Sequence, residues 1–159
     1  MLTLLALVIV RHIPFTSSKD GYPKLQPVTS TLLQMDRVLE DIIKRLEVLK
    51  VNKPPNQENL IIMVNDSIEL IEAVSSYNLQ ILSFISKGKI KESYHSSFIG
   101  SIVQNLEFEK VRIKSHLDRI ESLSPLISNK DASDAMDKAR QAAQSIFRAV
   151  EDAVDILRE

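Results

Sequence analysis

Four stretches of the chain repeat apolar residues at alternating steps of three and four, the spacing that places them along one face of a helix. The first is Leu32, Met35, Leu39, Ile42, Leu46 and Leu49. The second is Leu60, Val64, Ile68 and Ile71, widened by Ile61, Met63, Leu70 and Val74. The third is Ile99, Ile102, Leu106, Ile113, Leu117 and Ile120. The fourth holds the repeat longest, through Ala132, Met136, Ala139, Ala143, Ile146, Val150, Ala153 and Leu157.

Boundaries follow from the residues between these runs. Thr31 and Gln34 have the spacing of a capping box, which predicts a first helix starting near 29–31. Pro54 and Pro55 remove two backbone donors and end it, and Asn56 is placed to cap the next helix. Gly88 sits where a helix-terminating glycine belongs. The third helix is expected over 90–123 and stops at Ser124-Pro125. Gly100 inside it costs roughly 1 kcal/mol against alanine, so it marks either a close helix crossing or a break. The fourth helix starts between Ser128 and Asp131, with Asp131 and Asp134 near its positive N-terminal end.

The predicted fold is therefore all-α: a four-helix, mostly antiparallel up-and-down bundle over 29–159, forming a single domain with an additional apolar N-terminal segment. Residues 16–28 read as a loop, since Asp20-Gly21, Pro23 and Pro27 are turn chemistry. Residues 1–15 open with MLTLLALVIV, apolar on every side and followed by Arg11-His12. Ten residues are too few to span a bilayer, which takes about 20. A secretory signal would carry its basic residues first and a small-residue cleavage site after. The segment is thus expected to pack on the bundle; an interfacial membrane anchor through residues 1–10 is the lesser alternative.

Composition narrows the functional classes. With 159 residues and 44% hydrophobic content the chain can bury a real core. A net charge of -1 gives no general attraction to nucleic acid. The basic stretch of Lys110, Arg112, Lys114 and Arg119 is interrupted by Asp118 and lacks aromatic platforms. The absence of cysteine excludes disulfides and thiol chemistry, and agrees with a cytoplasmic location.

Candidate chemistry is sparse. Glu92 and His95 match the Glu-x-x-His spacing of di-iron bundles, but neither His12 nor His116 supplies a second copy. His116 lies about 31 Å further along a continuous helix. Glu69 with Glu72, and Glu151, Asp152 and Asp155, are carboxylate clusters of the kind that hold magnesium in small all-α hydrolases, and equally the ordinary solvated faces of charged helices. No catalytic residue, metal or cofactor is assigned.

Charge distribution carries more. Ala73 to Ser86 and Ser93 to Leu106 contain no Asp, Glu, Lys or Arg, and they flank the turn between the second and third helices. One end of the bundle is thus poor in charge all round, which is how interface cores differ from ordinary surface. Tyr77, Ile81, Phe84, Tyr94, Phe98 and Gly100 are the candidate interface. The function expected is a non-catalytic protein–protein interaction or assembly module, a homodimer or the partner of another helical protein. A small metal-dependent hydrolase and a peripheral membrane protein are the alternatives. Because each buried Leu or Ile contributes roughly 1.5–3 kcal/mol, deletion of residues 1–10 is expected to lower the melting temperature or cause aggregation. A truncated chain that melts and elutes like the full-length protein would show the segment to be dispensable.

Overall fold

The computed structural model describes residues 23–52, 55, 57–88 and 96–159. The expectations for Met1–Val10, the 16–22 loop, Asn56, the 89–95 turn, Tyr94 and the Glu92/His95 pair lie outside them. Among the described residues the chain forms four α-helices: α1 (Leu25–Val51), α2 (Glu58–Gly88), α3 (Ser96–Leu123) and α4 (Lys130–Arg158). A single 3₁₀ turn, Ser124–Leu126, joins α3 to α4. The fold is an all-α antiparallel bundle, in which α1 packs on α2 and α4, and α3 packs on the same two helices. Of the two diagonals, α2 and α4 touch more closely.

The expected seams are the core. Leu32, Leu39, Ile42 and Leu46 of α1, Val64, Ile68 and Ile71 of α2, and Leu106, Ile113, Leu117 and Ile120 of α3 are all buried. Every seam residue expected in α4 is buried, together with Ala135, Ala142 and Ala149. Alanine supplies almost no side-chain radius, so this face lets its neighbours approach closely, within the 8–10 Å range of helix packing set by contact residues. That accounts for α4 reaching α1, α3 and, across the core, α2.

α1 starts earlier than expected, at Leu25 rather than 29–31. Leu25 and Val28 are buried and carry the three-four seam back one turn. Pro27 does not break the helix because it occupies the first turn, where the backbone N–H would have no intrahelical acceptor. Thr31 and Gln34 consequently lie inside the helix and form no cap. α3 runs unbroken through Gly100. Among the described residues, no atom beyond its chain neighbours and its own helix backbone lies within 4 Å of where a Cβ would stand on Gly100, so no close crossing occurs there.

Two polar contacts fix details. Asn129 accepts from the Ala132 N–H at 3.0 Å, capping α4 within the expected interval. Asn78, fully buried on α2, donates from Nδ2 to the Leu32 carbonyl of α1 at 2.9 Å. This bond crosses between helices inside the core. At the open ends of α1 and α4, Lys24 Nζ meets Glu159 Oε2 at 2.6 Å, an exposed pair of small energetic weight.

Replacing Asn129 by alanine removes the side-chain acceptor at the α4 N-terminus. The expected cost is about 1 kcal/mol, read as a lower urea midpoint with an unchanged slope. An unchanged midpoint would show that the cap contributes nothing.

Candidate functional site

Across the α2–α3 groove the structure gathers five side chains: Tyr77 from α2, and Phe108, Glu109, Arg112 and His116 from α3. Phe108, Arg112 and His116 follow one another at steps of four along α3, and Glu109 lies three before Arg112 on the buried side. The guanidinium of Arg112 sits 4.4 Å from the Phe108 ring centroid and 5.5 Å from that of Tyr77. Such cation–π contacts are worth about 0.5–1 kcal/mol at partly exposed sites. Arg112 Nη1 also approaches Glu109 Oε1 at 3.5 Å. Tyr77 meets the His116 ring edge-to-face, with centroids 5.0 Å apart and planes at 81°. His116 Nδ1 lies 3.0 Å from the Arg112 carbonyl oxygen one turn back.

Glu109 is the unusual member. It is 3% exposed, at a position the third seam would give to an apolar residue. Its Oε2 has no hydrogen-bond donor among the described residues. Burial pushes the carboxyl above its ordinary value, and the Arg112 cation pulls it partly back. Arg112 therefore joins a buried acid on one side to an exposed aromatic ring on the other.

The outward face of α3 continues from this cluster. Ser101, Gln104, Phe108, Val111 and Ser115 follow one another at steps of three and four, and all five are exposed. Phe108 is 58% and Val111 65% exposed. The stripe contains no charge. Its flank toward α4 carries Glu107 and Lys114, and its flank toward α2 carries Asn105 and Arg112. Glu107 pairs with Lys110 at 3.0 Å and with Arg158 of α4 at 3.5 Å.

The expected interface residues divide. Ile81 is fully buried in the chain's own core, and Phe84 and Phe98 are half-buried and packed against that core. Tyr77 is half-buried in the groove, and Gly100 is exposed beside Ser101. Sequence reasoning placed Arg112 in a basic stretch and missed Phe108, Val111 and Glu109. A helical wheel drawn through Leu106 and Ile113 already puts Phe108 and Val111 on the opposite side, which was the available signal. Glu109 falls three residues after Leu106 and four before Ile113, so the three-four spacing already marked its position as a buried one.

The carboxylate clusters are not drawn together. Glu69 and Glu72 on α2 are exposed, as are Glu151, Asp152 and Asp155 on α4. Among the described residues no group of three or more His, Asp or Glu side chains is spaced to hold a metal ion. At the far end of the α2–α3 groove, Asp66, Glu69, His116, Asp118 and Arg119 border an open depression of about 710 Å³. It mixes both signs of charge without enclosing a reacting centre. No described helix is long and apolar enough to cross a membrane. No family model, curated protein or solved structure matches the chain.

Because the folded carboxyl of Glu109 titrates above its unfolded value of about 4.3, the unfolded state releases its proton first as pH rises. Stability therefore falls with rising pH between the unfolded and the raised folded value, and is flat above it. Glu109→Gln is expected to remove that fall, and Arg112→Ala to deepen and extend it. Urea titrations of the three proteins across this range check the sign; identical profiles would mean that Glu109 is solvated.

Proposed function

We propose that the protein is a non-catalytic helical interaction module that associates with a second copy of itself through the charge-poor α2–α3 side. The observation that carries this reading is the exposed, uncharged stripe Ser101–Gln104–Phe108–Val111–Ser115, with Phe108 and Val111 at its centre. A helix in a bundle ordinarily buries one stripe and shows charge on the opposite one. α3 buries its seam and then shows a second uncharged stripe to solvent. The side continues onto α2, where the outward residues Ala73, Ser76, Gln80 and Ser83 also lack charge.

The Arg112 contacts support the same reading. A phenylalanine held by a guanidinium that is itself anchored to a buried carboxylate loses little side-chain freedom on binding. Anchors of this kind lower the ordering cost of association. Aromatic side chains and arginine are the residues that most often dominate interface energetics.

Light scattering over a concentration series tests the proposal. A mass that rises toward the dimer in the wild-type protein, and stays monomeric in Phe108→Glu with helicity retained, is the expected result. Phe108 is exposed, so the substitution leaves the core intact. A wild-type monomer up to high micromolar concentration would overturn self-association.

A further inference from the structure

From the charges that border the α3 stripe we infer the geometry of the pairing: two copies join through α3 helices that run antiparallel about a two-fold axis between Phe108 and Val111. The inference rests on the self-association reading and adds to it the surface, the orientation and the residue pairs.

The stripe has the a/d spacing of a coiled-coil seam, with Ser101, Phe108 and Ser115 in one set of positions and Gln104 and Val111 in the other. In an antiparallel pair each position of one set faces the other set. Phe108 then stands against Val111 of the partner subunit, and Gln104 against the partner's Ser115. Large apolar groups meet at the centre and polar ones toward the ends, where Ser101 faces the exposed Asp118 of the partner subunit. Gly100, with open space around it, adds no side chain to obstruct the approach.

Orientation is decided by the flanks. In an antiparallel pair the flank toward α4 meets the same flank of the second copy. Glu107 then faces the partner's Lys114, and Lys114 faces the partner's Glu107, so the two-fold axis generates two attractive contacts. On the other flank Asn105 faces Arg112 of the partner subunit, which is neutral. Both Glu107 and Lys114 are accessible, at 34% and 54% exposed. A parallel pair in register sets Glu107 beside the partner's Arg112, but sets Lys114 beside Arg119 of the partner subunit. One attraction and one repulsion then cancel. Interhelical pairs at these positions select partner and orientation in coiled coils. Isologous two-fold dimers are also the commonest closed assembly. Because the contact is a single helix pair, the dimer is concentration dependent.

The lack of cysteine allows a direct test on the full chain. Gln104→Cys and Ser115→Cys variants are made separately, mixed, and oxidised. The antiparallel pair predicts a disulfide between the two different variants and little within either alone. Dominant cross-linking within the Gln104→Cys protein alone would overturn the orientation, since a parallel pair brings equivalent positions together. Dimer mass with no cross-link in any mixture would place the interface elsewhere, overturning this inference while self-association stands. A monomeric wild type would remove both. As a second readout, Glu107→Lys is expected to weaken the dimer roughly tenfold, two like-charge contacts replacing two attractive ones, and Glu107→Lys/Lys114→Glu to restore it. No restoration, with helicity retained in both, would overturn the charge pairing.

Discussion

The alanine face of α4 sets the spacing of the bundle. Ala132, Ala135, Ala139, Ala142, Ala143, Ala149 and Ala153 are all buried, and α4 contacts each of the other described helices. A face without bulk draws its neighbours inward, and the branched and long side chains of α1, α2 and α3 fill the space that remains. Packing at crystal-like density tolerates little change in volume, so enlarging one of these alanines moves backbones rather than side chains. The outer surfaces of α2 and α3 are held in place from behind by this constraint.

Against that close core, the polar groups are informative because they are few. Exposed ion pairs such as Glu40–Lys44 at 3.6 Å decorate the surface and decide little. Glu109 is different: a carboxylate taken from water at a seam position costs stability, and Arg112 offsets only part of that cost. The return is positional. Arg112 reaches Phe108, Tyr77 and Glu109 together from its place over the α2–α3 groove. A buried acid therefore orders an exposed ring.

Most of the fold was legible because one signal, apolar residues at three-four spacing, acts locally. α4 shows this most fully, with seam and cap both where the residues place them. α1 begins before its sequence signals because proline is a turn signal in most contexts, and only the burial of Leu25 and Val28 shows that Pro27 falls in a helical first turn. Gly100 suggested a crossing or a break, yet the cost of one glycine is small against 28 residues of otherwise continuous helix. The candidate site was less legible. Absence of charge selected one side of the bundle as the candidate interface, but it included Ile81, which the chain buries itself, and left out the exposed Phe108 and Val111. Which uncharged residues face outward depends on the angular position of a residue about its helix and on the register between helices.

That register carries one polar tie. Three-four seams are nearly self-similar, so apolar matching alone tolerates displacement along the helix axis. The Asn78 amide donates to the Leu32 carbonyl, and a slip by a fraction of a turn would leave this buried donor without its acceptor, at a cost of roughly 1–3 kcal/mol. The fine setting of α2 beside α1 is therefore guarded by a polar contact as well as by the apolar ones.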